Sequence, residues 1–526
     1  MRPLCLNGIT IAMVFACWSP AQAQNIVTLT LDEAIQIALV SNYALQEVRM
    51  DAAVARAEVR NAWSETMPRV DASSGYTRNL RTANPFAGSA AGDFFSGFAF
   101  IGWLAYNEDA RTDDDPTTMP ISFDEFDRRQ TQGLEDANIV LAGGDNPFQV
   151  ENQFVSTINV TQKLFDSSAM AGLRAAARVS DVFSRAVDRQ EQVVIDQVRR
   201  AFYQALLDRE RALVAAESVV RAEKTLSETT RRVAQGVAPK FQRLSADVQL
   251  ANLQSLLVDT ENRADASLDD FKFLLGIPVE TDVRLRGSLE ADTHWFAVSD
   301  GDAVAAALDR RPDLEQARLT EEIHALNLSV ARSNRIPKLS AFANLSFLGS
   351  VPDNRTFTIT SNDDPFLFTK GQNDFFSSSY WQPSINVGFS LTWTLFDGFA
   401  TSALIQQRRI DISRAKLQTL SLRESVRLEV ARAKRDLAGA RQQIAAQEKN
   451  VANAELSYTY ASARLAEGVA TPLEERDASD QLDQSRLNLL QAVFDFLVAR
   501  SAFETAVGIP LGQQSDIQLT SNRSVP

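Results

Sequence analysis

Residues 399–468 form a proline-free segment that carries a heptad repeat of apolar side chains. From residue 426 onward these positions follow one another at alternating steps of four and three, and the members are Val426, Val430, Ala433, Leu437, Ala440, Ile444, Gln447, Val451, Ala454, Tyr458, Ala461 and Leu465. Only Gln447 among them is polar, so the pattern predicts the seam of a coiled coil. At 1.5 Å per residue such a helix is about 100 Å long, far beyond an ordinary globular helix.

The long helix is expected to end at Gly468, because glycine suits a helix C-terminus. A second heptad follows directly and reads Leu482, Ser485, Leu489, Ala492, Phe496, Ala499, Phe503 and Ala506. Alanine at many seam positions lets an antiparallel neighbour approach closely. Residues 398–507 are therefore predicted to form a long helical hairpin that turns at Gly468.

The same hairpin occurs 232 residues earlier in the chain. Its seam reads Val194, Val198, Ala201, Ala205, Asp208, Ala212, Ala215, Val219, Ala222, Leu226, Thr229 and Val233, followed by Gly236. Two landmarks, G-I-P at 276–278 and L-F-D at 164–166, recur at 508–510 and 395–397. Chance alignment of alanine-rich helices is the alternative, and the landmarks argue against it. The sequence predicts a tandem repeat.

The first structural repeat is placed at 24–287, with its helical hairpin at 167–275. The second is placed at 288–511, and a C-terminal equatorial segment is expected at 512–526. Each repeat begins with a shorter amphipathic helix that ends before a proline, Pro68 in the first and Pro337 in the second.

Residues 1–23 have the features of a secretory signal peptide: a positive end at Arg2, an apolar run, and a small-x-small cleavage site at 21–23. Cleavage before Gln24 is the first interpretation; lipidation of Cys17 is the alternative. The chain's two cysteines, Cys5 and Cys17, both lie in this segment, so no disulfide is expected in the mature chain. No other window offers about 20 uninterrupted apolar residues, the length of a transmembrane helix.

The formal net charge of −14 argues against nucleic acid as a partner. The two histidines, His294 and His324, have no metal-ligand spacing, and we find neither a phosphate-binding glycine loop nor a nucleophile motif. We therefore expect no enzyme activity, no cofactor and no metal site.

Four segments alternate between apolar and polar side chains with a period of two, at about 69–79, 154–165, 338–348 and 384–396. Their lengths suit tilted membrane-spanning strands, although a soluble sheet with one solvated face is the alternative. Strands in a membrane must close into a barrel, and known single-chain barrels start at about eight strands. Four strands per chain therefore predict an oligomer, and three copies would supply twelve.

Long irregular stretches are expected between the strands, at 80–153 and at 349–382. Longer loops of membrane barrels lie outside the cell. The first stretch would constrict the outer mouth, bind an outside partner, or form a solvated surface loop.

The order of these features resembles the TolC-like outer-membrane efflux family. The residues that carry the resemblance are Leu29-Thr30-Leu31-Asp32-Glu33-Ala34, Arg311-Pro312-Asp313-Leu314, Arg335-Ile336-Pro337-Lys338, the two L-F-D sequences and the two hairpin tips. Each motif is weak alone, whereas their order and duplication together are specific.

The resemblance implies a homotrimer in the outer membrane of a Gram-negative bacterium, in contact with outer-membrane lipid. Its fold would be a mixed α/β membrane protein, a 12-stranded β-barrel continuing into an antiparallel coiled-coil α-helical tunnel in the periplasm. Its function would be that of a passive conduit in a tripartite efflux or type I secretion system. The implied partners are a periplasmic adaptor (membrane fusion protein) and an inner-membrane pump of the RND, ABC or MFS type.

The resemblance also implies functional residues at the two hairpin tips, which fit an R-x-x-x-G pattern. Adaptor contact is expected at Arg232, Gly236, Val237, Arg464, Gly468 and Val469. The alternative is that each glycine merely ends a helix while each arginine caps the last carbonyls.

Glu474 and Asp477 correspond to acidic residues that line the periplasmic aperture in the family. Three chains would bring these carboxylates into a narrow ring that attracts cations. Glu474 also fits a capping box with Thr471, which is the structural alternative for that residue. The first repeat has uncharged Gln242 and Ser245 at the matching positions.

A rival function is a trimeric surface adhesin or fibre anchored by membrane strands. The sequence alternates twice between a pair of strands and an antiparallel helical hairpin, and this order argues against an adhesin or fibre. No recognisable motif indicates the exported substrate or the pump class. None indicates whether the channel rests open or closed.

Overall fold

The computed structural model describes residues 27–80, 98–114, 118–139, 150–291, 299–361 and 364–508. The expected signal segment and the C-terminal segment 512–526 lie outside the described residues. The chain divides into two compact units, one comprising Met1–Arg60, Leu173–Leu328 and Ile405–Pro526, the other Asn61–Gly172 and Ser329–Leu404.

Ten helices are described. They are α1 (Leu31–Ser41), α2 (Tyr43–Ser64), α3 (Phe98–Thr112), α4 (Phe123–Asp136), α5 (Ser167–Ala234), α6 (Lys240–Leu275), α7 (Asp300–Arg310), α8 (Pro312–Ser333), α9 (Ala400–Ala466) and α10 (Pro472–Val507). None of these described helices has the length and the apolar character needed to cross a membrane.

Eight strands are described. They are β1 (Val27–Leu29), β2 (Arg69–Arg78), β3 (Asn152–Phe165), β4 (Val283–Leu285), β5 (Lys338–Val351), β6 (Thr356–Thr360), β7 (Phe368–Gln372) and β8 (Trp381–Thr392). β1 and β4 form a short parallel pair in the first unit.

The long helices of the first unit bury the heptad seams that the sequence shows. In α9, Val426 and Val430 are 1% and 2% exposed, and every other seam position up to Leu465 is buried or half-buried. The first repeat buries its seam in α5 in the same way, with Val194 and Val198 fully buried. Burial of a valine or leucine side chain contributes about 1.5–3 kcal/mol, so burial of these seams stabilises the hairpins.

Two hydrophobic cores lie in the helical unit, one for each repeat. The first is built from α1, α2, α5 and α6 with the β1–β4 pair, and its largest fully buried side chain is Phe271. The second is built from α7, α8, α9 and α10, and includes Phe496 and Phe503. Both hairpins end in a left-handed glycine, Gly276 and Gly508, each with φ of 73°.

The second unit contains a four-stranded antiparallel sheet in the order β2-β3-β5-β8. One face carries apolar side chains in register across the strands, such as the neighbouring pairs Ala343–Val387 and Leu345–Ile385. The opposite face carries Ser384, Asn386 and other polar residues. Val387 is 75% exposed in the chain, so the apolar face has no covering layer among the described residues.

The fourth strand corrects the sequence-based range of about 384–396. It starts at Trp381, which pairs with Gly349, and ends at Thr392, which pairs with Lys338. Residue 337 is proline, which lacks the N–H that would extend the ladder. The alternation of apolar and polar residues continues after Thr392 in the sequence. These later residues lie beyond the end of β5, the strand with which β8 pairs.

The two stretches expected to be irregular are partly regular. Helices α3 and α4 lie within 80–153, and the β6–β7 hairpin lies within 349–382. They pack through aromatic side chains: the ring of Phe366 lies 5.4 Å from that of Phe126 and 5.3 Å from that of Tyr106. Gly133 approaches this contact so closely that an added Cβ would lie 1.9 Å from the Phe366 carbonyl oxygen. The sequence held a local signal for α4, because Ser122 and Glu125 form an S-x-x-E pattern and the Ser122 hydroxyl accepts from the Glu125 amide at 3.3 Å.

Candidate functional site

The tip of the first hairpin is a glycine turn. Gly236 adopts φ of 74°, and the Val237 amide donates to the Arg232 carbonyl at 3.0 Å while the Gly236 amide donates to the Val233 carbonyl at 3.0 Å. These two bonds define a Schellman motif, which requires a left-handed residue and thus favours glycine.

The tip of the second hairpin repeats this geometry. Gly468 adopts φ of 75°, the Val469 amide donates to the Arg464 carbonyl at 2.9 Å, and the Gly468 amide donates to the Leu465 carbonyl at 3.0 Å. The valine after each glycine is exposed, with 73% of Val237 and 69% of Val469 accessible. Each tip thus presents an apolar side chain to its surroundings.

The two tip arginines make different contacts. Arg232 is half-buried, and its guanidinium donates to the Leu465 carbonyl of the other tip at 3.0 Å. Arg464 is exposed, and its guanidinium lies 3.8 Å from the Glu474 carboxylate. Arg232 therefore links the two tips, whereas Arg464 makes a solvent-exposed ion pair that contributes at most about 1 kcal/mol.

The two acidic residues near the second tip also differ. Glu474 forms a capping box with Thr471: the Thr471 hydroxyl donates to the Glu474 carboxylate at 3.1 Å, and it accepts from the Glu474 amide at 3.3 Å. Asp477 takes no part in this cap; its carboxylate is 63% exposed and lies 3.2 Å from the neighbouring Arg476 guanidinium. Both carboxylates remain accessible to solvent.

A polar cluster between the hairpins was missed at the sequence level. The Asp483 carboxylate accepts hydrogen bonds from Arg221 and, at 2.6 Å, from the Ser218 hydroxyl. Arg221 also donates to the Ser479 hydroxyl at 3.2 Å. The cluster joins α5 of the first repeat to α10 of the second, so it holds the two hairpins together behind their tips.

Glu475 belongs to the same region and is 8% exposed. Its carboxylate lies near the Tyr458 hydroxyl, and its pKa is raised by burial and by the nearby negative charge of Glu228. Burial and Glu475 in turn raise the pKa of Tyr458. The sequence held one signal for this site, because Glu475 lies one heptad before Leu482 and so occupies a seam position.

The motifs behind the family resemblance have structural roles. Arg311, whose side chain is 3% exposed, pairs with Asp313 at 2.7 Å and with Glu429 at 2.7 Å. The aspartates of the two L-F-D sequences cap long helices: Asp166 accepts from the Ser168 amide at 2.9 Å and Asp397 from the Thr401 amide at 2.8 Å. Within the described ranges, no group of three or more His, Cys, Asp or Glu side chains is arranged to hold a metal ion.

Comparison with known proteins identifies relatives along most of the chain. Residues 127–277 and 303–508 match the family described as outer membrane efflux protein. The outer membrane protein TolC of Salmonella enteritidis is 21% identical over 409 residues, which is 76% of this chain and 76% of that protein.

Solved structures of outer-membrane channels share the fold. The CmeC channel of Campylobacter jejuni superposes with a TM-score of 0.66 at 14% identity, covering 91% of this chain and 85% of the other. VceC of Vibrio cholerae superposes with a TM-score of 0.64 at 14% identity, covering 91% and 96%. These matches confirm the fold class expected from the sequence, a β-barrel and an α-helical tunnel built from a tandem repeat.

The family match spans both repeats and confirms the resemblance noted in the sequence. It also sets aside the adhesin alternative. The protein is an outer-membrane efflux channel with its helical part in the periplasm, and the chain belongs to the outer membrane efflux protein family.

Proposed function

We propose that this channel is a homotrimeric passive conduit, opened at its hairpin tips by a periplasmic adaptor and driven by an inner-membrane pump. The observation that carries the proposal is the pair of matched tips, in which an exposed valine follows a left-handed glycine. Exposed apolar side chains beside backbone turns suit the tip of a partner helix. The pump supplies the energy and is of the RND, ABC or MFS type.

Trimer formation is supported by the edges of the sheet. β2 and β8 pair on one side only among the described strands, and unpaired strand edges are not tolerated in lipid. Closure through neighbouring chains satisfies these edges, and three chains of four strands reach a barrel size known for this class of protein. The apolar face of the barrel would then contact outer-membrane lipid.

Gating is proposed to reside in the contacts between the two tips. The bond from Arg232 to the Leu465 carbonyl holds the tips together, and adaptor contact with Gly236, Val237, Gly468 and Val469 would favour their separation. Such a partner shifts the equilibrium only through its preference for the open arrangement. Glu474 and Asp477 of three chains would form the aperture ring, where their carboxylates attract cations.

Site-specific crosslinking tests the adaptor contact. The cysteines of the natural chain lie in the expected signal segment, so Val237→Cys and Val469→Cys introduce single reactive thiols into the mature protein. We expect a bifunctional reagent to join each of them to one periplasmic protein in intact cells. Val40→Cys, at a 71% exposed position outside the tips, is the matched control. Equal crosslinking from all three positions would contradict the proposal.

A deletion strain tests the transport function and its cargo. Sensitivity to amphiphilic toxins, with an unchanged set of secreted proteins, would indicate efflux of small molecules. Loss of a secreted protein without sensitivity would indicate protein export. A soluble monomer in cell fractions, with neither change, would contradict the conduit.

A further inference from the structure

A cavity of about 480 Å³ lies behind the tips, between α5, α6 and the first turns of α10. Pockets for small organic ligands have volumes of about 300–1,000 Å³. This cavity draws its walls from both repeats, since α5 and α6 belong to the first hairpin and α10 to the second. None of the tip residues assigned above to adaptor contact lines it.

One part of the cavity wall is hydrocarbon. It is formed by side chains of α5, α6 and α10 that include Ala222, Phe241, Ala246, Leu253 and Leu473. The Phe241 ring lines the cavity and is 76% exposed in the single chain. An aromatic or branched apolar body would gain from burial against this surface.

The other part of the wall carries an excess of negative charge. Its charged residues are Glu475, Asp480, Asp483, Arg221 and Arg476. Both arginines have an acidic partner at a terminal nitrogen, Asp483 for Arg221 and Asp477 for Arg476. The Nε of Arg476 is buried and has no hydrogen-bond acceptor among the described residues. Glu475 forms no ion pair with a cation among the described residues, and the Tyr458 hydroxyl lies near its carboxylate.

A buried carboxylate without a cationic partner is unfavourable and gains from one. The charged groups that face Glu475 from α5 are Glu228, Arg221 and Lys224. Glu228 opposes the ionised form of Glu475, while the two cations favour it from a distance. A ligand ammonium group entering the cavity would supply the missing contact partner at the carboxylate itself.

We propose that this cavity binds a cationic amphiphile, a small molecule with one protonated amine and an apolar ring system. The amine pairs with Glu475, and the ring system lies against Phe241 and Leu253. A ligand in this position contacts both hairpins at once and therefore stabilises their present arrangement. The site uses none of the residues assigned to adaptor contact at the tips.

The test uses the purified full-length trimer in lipid nanodiscs and two probes of equal shape. The probes are 2-naphthylmethylamine, which is protonated at neutral pH, and 2-naphthylmethanol, which is neutral. We expect calorimetric titration to show saturable binding of the amine at one molecule per chain. Loss of the charge-assisted contact should weaken binding of the alcohol by roughly tenfold.

Three variants locate the bound amine. Glu475→Gln should weaken amine binding by roughly tenfold and leave the alcohol unaffected. Glu223→Gln makes the same change at an exposed position of α5 outside the cavity and should bind the amine like the natural chain. Ala246→Phe fills the cavity from α6 and should abolish binding of both probes.

The pH dependence provides a further readout. Amine binding to the natural chain should weaken as acid pH protonates Glu475, whereas binding to Glu475→Gln should change much less. Equal affinity for amine and alcohol, or equal loss in Glu475→Gln and Glu223→Gln, would overturn the proposal. If Ala246→Phe fails to form a trimer, the pair of glutamine variants still decides the question.

Discussion

Glu475 is a buried carboxylate of α10 that lies near Tyr458 of α9 and Glu228 of α5. Burial and Glu228 raise its pKa in the folded protein. The Glu475 carboxyl group therefore binds its proton more tightly in the folded state than in the unfolded state. The cost of the buried charge is fully present above the raised pKa and disappears as pH falls below the unfolded-state value.

We accordingly expect Glu475→Gln to stabilise the channel at neutral pH and to lose this advantage at acid pH. The measurement is thermal unfolding followed by circular dichroism over a pH series, with Glu223→Gln as the exposed control. A variant that is less stable than the natural chain at neutral pH, and regains stability at acid pH, would show that the sign is wrong.

Arg232 joins the two tips, because its guanidinium donates a hydrogen bond to the Leu465 carbonyl of the second hairpin. We expect Arg232→Ala to remove about 1 kcal/mol from the arrangement in which the two tips are joined, which shifts the equilibrium towards separated tips by about fivefold. Conductance of the purified channel in planar bilayers, without adaptor, measures this. Arg231→Ala removes an exposed neighbouring arginine and should leave the conductance unchanged.

At the scale of elements, glycine has opposite effects in one helix, α9. Gly468 ends the helix with a positive φ, whereas Gly439 lies inside it with no atom near its missing Cβ. The same substitution is therefore expected to act in opposite directions. Gly468→Ala should cost about 1–2 kcal/mol, because a left-handed conformation strains residues with a Cβ. Gly439→Ala should gain about 0.5–1 kcal/mol from helix propensity.

Hydrogen exchange separates these two effects. The amides around Val469 should exchange several-fold faster in Gly468→Ala, and the amides around Gly439 should exchange more slowly in Gly439→Ala. Slower exchange in both variants would contradict the role of the positive φ at the tip.

The contact between α4 and the β6–β7 hairpin is a second element-scale feature. A Cβ on Gly133 would overlap the Phe366 carbonyl, whereas a Cβ on Gly102 would lie 3.7 Å from the Phe126 ring, an ordinary contact. We expect Gly133→Ala to cost about 1–3 kcal/mol through overpacking and to speed proteolysis within 98–139. Gly102→Ala should be tolerated. Equal resistance of both variants to the protease would rule out a rigid contact between Gly133 and Phe366.

For the whole molecule, the two faces of β8 have different surroundings after assembly. Val387 lies on the apolar face and Asn386 on the polar one. Val387→Arg should cost about 2–4 kcal/mol near the middle of the bilayer and reduce the heat-modifiable trimer in the outer membrane. Asn386→Arg should assemble normally, because its side chain faces away from lipid. Normal assembly of Val387→Arg together with impaired assembly of Asn386→Arg would show that the lipid-facing side of the sheet is assigned wrongly.

The tandem repeat, the two long hairpins and the four-stranded pattern are visible in the sequence. Heptads and period-two alternation are local, so each segment reports which face it buries without reference to its neighbours. The glycine turns at 236 and 468 are visible for the same reason, since a left-handed helix end needs only a few consecutive residues. These features were sufficient for the family resemblance that the comparisons confirm.

Contacts between distant segments were decided only by the tertiary structure. The bond from Arg232 to Leu465 joins residues of different repeats, the burial of Glu475 depends on α5 and α9, and the end of β8 depends on where β5 starts. The approach of Gly133 to Phe366 arises in the same way. Periodicity reports which side of an element is buried, whereas the partner that buries it is fixed by packing across the fold.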